Sequence, residues 1–127
     1  LSARDLQRGD DKGQWVLGKS FDGSCPIGPW LTTSDEIPNP QTLQVKCILN
    51  GQMMQNSNTS QMIFSVAVLV SHLSKTMTLM PGDLIVTGTP PGVGMGRNPK
   101  VWLKDGDEVV IEIDKIGALK NTMRVMP

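Results

Sequence analysis

An alternating apolar segment followed at once by Asn-Gly places the strongest constraint on how this chain can fold. Apolar side chains take every second position from residue 43 to 49, so they would share one face of a β-strand. They are Leu43, Val45, Cys47 and Leu49. Asn50-Gly51 comes next and favours a type I′ turn, because both central residues of that turn need a positive φ. The pattern therefore predicts an antiparallel hairpin whose return strand covers residues 52–55.

A helical period follows the hairpin. Apolar side chains recur at helix spacing between residues 62 and 77 and would form one apolar stripe. They are Met62, Val66, Leu69, Val70, Leu73 and Met77. The start of the helix is ambiguous, since residues 62–64 fit an extended segment equally well. Asn58, Thr59 and Ser60 precede it as candidate N-caps.

The remaining sequence favours short strands joined by turns. The apolar run at residues 84–86 predicts a buried strand, whereas residues 88–99 hold too much Gly and Pro for regular structure. Alternation predicts a half-buried strand over residues 109–113, and a last strand is expected near residues 119–125. The sum is a mostly β fold with one main helix, of the α+β class, in one domain over residues 1–127.

Charge and cysteine content exclude several classes of function. Twelve basic residues balance twelve acidic ones, which gives no electrostatic reason to expect nucleic acid or an anionic membrane as a partner. The apolar runs are far shorter than the ~20 residues of a membrane-spanning helix. Cys25 and Cys47 stand far apart with no Cys-x-x-Cys motif, so a zinc site is not expected. We expect two reduced, buried thiols in an intracellular protein, and a disulfide between them stays open.

Arg4 and Gln7 form the first candidate binding group. They stand three residues apart, so both side chains could point the same way from one helical turn. The planar fork of an arginine suits carboxylate recognition, because it binds two oxygens at once. Spacing alone favours a simpler interpretation, which is a surface ion pair between Arg4 and Asp5.

Lys19 is the second candidate. It follows Trp15-Val16-Leu17, which reads as a buried strand, so it could be partly desolvated and offer a fixed positive charge or a base. Residues Gly13 to Ser20 also fit the spacing of a phosphate-binding P-loop, which leaves a nucleotide binder as an alternative. The bulky apolar residues inside that match, and the lack of a predicted long helix after it, argue against the P-loop.

The third candidate is the loop from Thr87 to Gly94. A hydroxyl-bearing strand end runs there into a segment dense in Gly, where backbone N–H groups could approach a small anion. A sharp β-turn explains the same composition equally well. His72 is the only histidine, and its place in the helical pattern favours a structural or surface role over a catalytic triad.

Several motifs occur in one order along the chain, and together they carry a family resemblance. They are Ser2-Ala3-Arg4-Asp5-Leu6-Gln7, Leu17-Gly18-Lys19-Ser20-Phe21-Asp22, Cys25-Pro26-Ile27-Gly28-Pro29, Asn50-Gly51, Met62-Ile63-Phe64-Ser65, the run from Pro81 to Gly94, and Gly106-Asp107-Glu108-Val109. Each motif alone is weak. The ordered set resembles the fumarylacetoacetate hydrolase family, and most closely its fumarylacetoacetate hydrolase domain-containing branch.

The resemblance implies a mixed β-roll catalytic fold, usually in a homodimer. It implies a divalent ion, Mg²⁺ or Mn²⁺ or Ca²⁺, that is held by oxygen ligands and polarises a keto or enolate oxygen of the substrate. The expected activity is that of a metal-dependent hydrolase or lyase for small keto-acids. Hydrolysis of a carbon–carbon bond in an acylpyruvate and decarboxylation of an oxaloacetate-like acid are the expected reactions.

Four residues match positions that the family uses. Lys19 matches the active-site lysine, which would stabilise a developing enolate or activate water. Arg4 and Gln7 match residues on the substrate side of the Ser-Ala-Arg-Asp-x-Gln motif. Thr89 matches the threonine of the Thr-Gly-Thr turn, which with nearby backbone N–H groups would hold a substrate carboxylate.

The metal ligands of the family have no counterpart in these residues. The resemblance places one aspartate ligand immediately before Leu1, and a Glu-x-Glu pair and a lid with the acid–base residues further upstream. The chain is therefore expected to be the C-terminal portion of a catalytic domain, in a cytoplasmic or mitochondrial protein. A truncated scaffold that folds, binds no metal and is catalytically inactive is the alternative.

Overall fold

The computed structural model describes residues 1–9 and 14–125. The regular elements in chain order are helix α1 (Arg4–Arg8), strands β1 (Gln44–Leu49) and β2 (Gln52–Asn58), helix α2 (Val66–Leu73), and strands β3 (Glu108–Ile113) and β4 (Gly117–Thr122). Three short 3₁₀ turns accompany them, Pro40–Thr42, Thr59–Gln61 and Gly94–Gly96. The prediction of a mostly β, α+β fold is confirmed.

The four strands form one antiparallel sheet in the order β2-β1-β3-β4. β3 pairs with β1, so the chain returns from α2 and a long irregular segment to the open edge of the first hairpin. Cys47 lies opposite Gln55 on one side and Ile111 on the other. The register between β1 and β2 shifts at this point, which leaves Met54 without a partner and forms a β-bulge.

The hairpin turn confirms the prediction from Asn50-Gly51. Both residues have positive φ, 48° at Asn50 and 80° at Gly51, as a type I′ turn requires. The Asn50 side chain also ties the turn to the start of β3: its Nδ2 donates to Asp107 Oδ1 over 2.8 Å, and its Oδ1 accepts from the Glu108 N–H over 2.8 Å. The hydrogen bond that Asp107 accepts from Asn50 Nδ2 lowers the pKa of the exposed Asp107 carboxyl.

The two faces of the sheet differ in chemistry because side chains alternate along each strand. One face is polar and carries the ion pairs Lys46–Glu112 at 3.9 Å and Lys120–Glu108 at 2.6 Å. The opposite face is largely apolar in its central strands. It includes Cys47, Leu49, Val109 and Ile111.

Helix α2 is shorter than predicted. It begins at Val66 because Ser65 Oγ accepts from the Val68 N–H at 3.3 Å and Gln41 Oε1 accepts from the Val66 N–H at 2.8 Å, which satisfies the helix start from outside. Asn58 acts as a cap, but of the 3₁₀ turn, where its Oδ1 accepts from the Ser60 N–H at 2.9 Å. The predicted continuation to residue 77 is wrong, since the helix ends at Leu73.

Two predicted strands are absent from the described residues. Leu84 and Val86 are 65% and 81% exposed, outside the sheet, and residues 15–17 belong to a turn. An apolar run does not make a strand without a neighbour to take its backbone hydrogen bonds, and here both runs lack one. The last strand begins at Gly117, two residues earlier than predicted, because positive φ at Lys115 (64°) and Gly117 (107°) turns the chain tightly.

The cysteines and the buried side chains complete the fold. Both thiols are free, but only Cys47 is partly buried, so the prediction of a buried Cys25 is wrong: Cys25 lies in an exposed loop. Leu43 and Ile37 are the buried apolar residues of the described chain, and the largest fully buried side chain is the polar Gln7. Among the described residues, no helix is long and apolar enough to cross a membrane.

Candidate active-site cleft

A cleft of about 830 Å³ opens on the apolar face of the sheet. Its floor comes from β1 and β3. One side is the N-terminal wall, which we define as residues 1–5 with Lys19. The other is the loop wall, which we define as residues 89–97 and of which Thr89 and residues 92–95 line the cleft. Arg4, Lys19 and Thr89 all line this cleft, so the fold brings together three of the four predicted site residues.

Gln7 does not line the cleft. It is only 1% exposed and lies behind Arg4, whose Nη1 donates to Gln7 Oε1 over 2.9 Å. Its Nε2 is buried without a partner among the described residues. A Cβ on Gly18 would collide with Gln7 Cγ and come within 2.7 Å of Ala3 O, so Gly18 packs against Gln7 where no larger residue fits. Substrate contact by Gln7 stays a prediction, and support of Arg4 is what its position provides.

Arg4 is half-buried at the start of α1. Its hydrogen bond to Gln7 replaces the predicted ion pair with Asp5, which does not form. Within residues 1–9 and 14–125 one hydrogen bond holds the guanidinium, so its remaining N–H groups stay available to a ligand in the cleft. A carboxylate is the ligand that this donor geometry favours.

Lys19 is exposed, and the predicted desolvation is wrong. Residues 15–19 form a turn in which the Lys19 N–H donates to Val16 O over 2.9 Å, so no buried strand leads into the lysine. Ala3 N–H donates to Gly18 O over 3.0 Å and Ser24 Oγ donates to Lys19 O over 2.8 Å, which fixes the backbone beside α1.

The P-loop alternative finds no support in this region. Gly13 lies outside the described residues, but the segment after Lys19 is described and continues as turns and bends, with no helix before residue 40. A P-loop needs the helix that follows it, because the N-terminus of that helix binds the phosphates.

The loop wall is held by β2. Gln55 Nε2 donates to Thr89 Oγ1 over 2.9 Å and to Pro90 O over 2.6 Å. Arg97 Nε donates to Gly92 O over 3.1 Å, and its Nη2 donates to Met54 O. Sequence reasoning missed Gln55 and Arg97. The only available signal was that Gln55, a polar residue, occupies a position of β2 on the apolar face of the sheet.

The floor of the cleft places a thiol between the two walls. Burial raises the pKa of Cys47, and the positive charge of Arg97 opposes this effect. Leu49, Val109 and Ile111 surround it on the same face. An apolar floor strengthens the electrostatic interactions of charged groups above it, because it excludes water from one side.

A divalent ion does not fit the residues present. Asp5 and Asp105 line the cleft, but residues 1–9 and 14–125 contain no group of three or more His, Cys, Asp or Glu side chains placed to hold a metal. Hard divalent cations need several oxygen ligands converging on one point. These residues alone therefore do not make a metal site.

Comparison with known proteins identifies the family. The sequence model described as "Fumarylacetoacetate (FAA) hydrolase C-terminal" matches residues 1–124. "Oxaloacetate tautomerase FAHD2B, mitochondrial" of Bos taurus is 51% identical over 121 residues, which cover 95% of this chain and 38% of the relative. The corresponding fahd2 protein of Xenopus laevis is 52% identical over the same share of both chains.

Solved structures show the same fold. A putative HpcE protein from Mycobacterium smegmatis superposes with a TM-score of 0.91 at 49% identity, over 96% of this chain and 45% of that one. Maleylpyruvate hydrolase from Sphingobium sp. SYK-6, in complex with manganese(II) and pyruvate, superposes with a TM-score of 0.77 at 38% identity, over 84% and 38%. The chain thus spans less than half the length of these relatives. It belongs to the fumarylacetoacetate hydrolase family.

Proposed function

We propose that residues 1–127 are the C-terminal portion of a single catalytic domain, and that the enzyme acts on small keto-acids through an enolate-like intermediate. The observation that carries the proposal is the meeting of Arg4, Lys19 and Thr89 on the lining of one cleft with an apolar floor. Two cationic side chains and a hydroxyl suit an anionic substrate whose negative charge grows during the reaction.

Each side chain receives a role from its chemistry. The Arg4 guanidinium binds a substrate carboxylate with its free N–H groups, and Gln7 supports it from behind. The Lys19 ammonium lies on the same wall and stabilises the developing enolate oxygen as a fixed positive charge. Thr89, on the opposite wall, donates its hydroxyl to a carboxylate. The substrate carboxylate is thereby bound between the two walls, by Arg4 on one side and Thr89 on the other.

The substrate class is supported by the relatives. A relative is named for oxaloacetate, and a structural neighbour binds pyruvate. Both acids carry a keto group directly beside a carboxylate, so we propose that this 2-keto-carboxylate unit is what the cleft recognises. Keto–enol interconversion of oxaloacetate, its decarboxylation, and C–C hydrolysis of an acylpyruvate are the reactions to test, since all three develop an enolate.

We also propose a divalent cofactor, Mg²⁺ or Mn²⁺ or Ca²⁺, with its carboxylate ligands outside residues 1–127. The manganese ion in the maleylpyruvate hydrolase structure supports a divalent ion in this family. When bound, such an ion would polarise the keto oxygen of the substrate. A mitochondrial or cytoplasmic location is proposed on the names of the relatives, which include the word mitochondrial.

A homodimer is the proposed assembly. Leu31 and Ile63 are 85% and 92% exposed, and Trp30 and Phe64 are exposed as well. Exposed apolar surface of this extent is typical of a surface covered by other protein, which is either the rest of the proposed domain or a second copy of the chain. Light scattering on the full-length protein tests the dimer, and a monomer at micromolar concentration would contradict it.

The test of the function is Lys19→Met in the full-length protein. Loss of a fixed charge at a developing oxyanion is expected to lower kcat on oxaloacetate or an acylpyruvate by about 10²- to 10³-fold, with Mg²⁺ or Mn²⁺ present. Lys75→Met is the matched control, because Lys75 is an exposed lysine that does not line the cleft. Undiminished turnover by Lys19→Met contradicts the role of Lys19, and a wild-type protein with no turnover of any of these acids favours the inactive scaffold.

A further inference from the structure

The contact with the carbonyl oxygen of Pro90 fixes the orientation of the Gln55 side-chain amide. Gln55 lies on β2, with Cys47 opposite on β1, and its amide reaches across to residues 89 and 90 of the loop wall. The Pro90 carbonyl is 2.6 Å from the Gln55 amide and is only an acceptor, so the atom that faces it is the amino group Nε2. An amide flipped by 180° would place two carbonyl oxygens in contact.

This orientation fixes the direction of the Thr89 hydroxyl. Gln55 Nε2 has two protons, and it lies at hydrogen-bond distance from two oxygens, Pro90 O and, at 2.9 Å, Thr89 Oγ1. An amino group cannot accept a hydrogen bond, so the Thr89 oxygen must be the acceptor of this one. The proton of the Thr89 hydroxyl therefore points away from Gln55.

The cleft receives that proton. Thr89 is exposed and lines the cleft, and among the residues that the structure describes no other group hydrogen-bonds to its hydroxyl. A hydroxyl whose lone pair is engaged by an amide presents its O–H to the solvent side. The Thr89 hydroxyl is therefore available to the cleft as a hydrogen-bond donor, which suits a carboxylate.

The surrounding backbone keeps Gln55 and the loop in register. The bulge at Met54 leaves its carbonyl out of the β1–β2 ladder, where it accepts from Arg97. Gly92 has a φ of 107° and lies against the same carbonyl, so closely that a Cβ would collide with it. Arg97 also holds the Gly92 carbonyl, which ties both ends of the loop wall to adjacent residues of one strand.

We propose that Gln55 is the positioning residue that makes Thr89 a donor and so determines the affinity of the cleft for the substrate carboxylate. The proposal rests on the proposed function, since it assigns the carboxylate end of the same 2-keto-carboxylate substrate. Gln55 itself lines the cleft, but it acts through Thr89, whose hydroxyl it orients.

The experiment uses the full-length protein with saturating Mn²⁺ and has two readouts, the Kd of pyruvate by calorimetry and the KM and kcat for oxaloacetate. Gln55→Met keeps most of the side-chain length, removes the amide that orients the Thr89 hydroxyl, and adds no charge to the cleft. It is expected to weaken pyruvate binding about 10-fold and to raise KM, with kcat changed much less, because the Thr89 hydroxyl is no longer held as a donor to the substrate carboxylate. Gln52→Met is the matched control, since it makes the same exchange at an exposed position of the same strand.

A double-mutant cycle isolates the coupling and guards against misfolding. Gln55→Met and Thr89→Val each weaken pyruvate binding, and the double variant is expected to bind no worse than Thr89→Val alone, because Gln55 has no hydroxyl left to orient. Thr89→Ser keeps a hydroxyl, so adding Gln55→Met to it is expected to weaken pyruvate binding as much as Gln55→Met does in the wild type. Losses that multiply in the double variant, or a Gln55→Met protein that binds pyruvate like the wild type, overturn the inference alone. A wild-type protein that neither binds pyruvate nor turns over oxaloacetate overturns the proposed function together with it.

Discussion

The two walls of the cleft are built in different ways. The N-terminal wall is local: Arg4 bonds to Gln7 three residues away, and Gly18 packs on Gln7 just before Lys19. The loop wall depends on distant partners, since Thr89 is held by Gln55 from 34 residues away and Arg97 reaches Met54 over 43 residues. Local spacing can therefore indicate the first wall, whereas the second exists only once the sheet has formed.

The comparison predicts that the loop wall is the more sensitive to added volume. In Gly92→Ala, the new Cβ would meet the backbone carbonyl of Met54 on strand β2, which is paired with β1, and the φ of 107° disfavours any side chain. We expect a loss of about 3 kcal/mol in the free energy of unfolding. Urea denaturation measures it, with Gly96→Ala as the control, because a Cβ there meets only Val93 Cγ2 at an ordinary 3.6 Å.

The N-terminal wall is expected to accommodate added volume with a smaller loss in the free energy of unfolding. In Gly18→Ala, the Cβ would meet a flexible side chain, Gln7, together with Ala3 O at 2.7 Å on a short terminal segment. We expect a loss of roughly 2 kcal/mol in the free energy of unfolding, with a larger effect on the position of Lys19 than on the sheet. A Gly18→Ala protein that is less stable than Gly92→Ala would reverse the order of the two walls.

The same difference explains how much the sequence predicts. Alternation and the Asn50-Gly51 turn predict the β1–β2 hairpin, because these signals are local and the sheet keeps them. The spacing of Arg4 and Gln7 indicates only that both side chains could point the same way, and it favours an ion pair of Arg4 with Asp5. The sequence carries no sign that Gln7 is buried behind Arg4 instead of facing the cleft. The role of Lys19 follows from the family motif alone, since its turn and exposure contradict the strand that residues 15–17 suggest.

The misses have one physical cause. The apolar runs at residues 15–17 and 84–86 look like strands, yet both are exposed, because burial depends on partners that a sequence window does not contain. Gln55 and Arg97 are missed for the same reason. Each is an ordinary polar residue by sequence, and each gains its function from carbonyl groups that a bulge and a glycine loop bring within reach.

Two variants of Arg97 distinguish whether its hydrogen bonds or its charge stabilise the loop wall. Arg97→Met removes the bonds to both carbonyls and is expected to lower the free energy of unfolding by about 1.5 kcal/mol. Arg97→Lys keeps the charge but not the planar fork, so it should recover less than half of that loss. Urea denaturation of the two variants measures this, and equal stability of Arg97→Lys and wild type would show that charge alone is sufficient.

The reactivity of Cys47, on the floor of the cleft, depends on the same positive charge of Arg97. This effect is expected to be the smallest of those predicted here. Burial raises the pKa of its thiol and Arg97 lowers it, so removing the guanidinium leaves the effect of burial unopposed. Because the thiolate is the reactive form, the pH profile of Cys47 alkylation by iodoacetamide should move to higher pH in Arg97→Met and stay in place in Arg97→Lys. Mass spectrometry separates Cys47 from the exposed Cys25, which serves as the internal control in every sample.

If both variants shift the profile equally, the loop wall affects Cys47 through its position and not through its charge. The loop wall would then resemble the N-terminal wall, where packing around Gln7 and Gly18 holds the side chains in place.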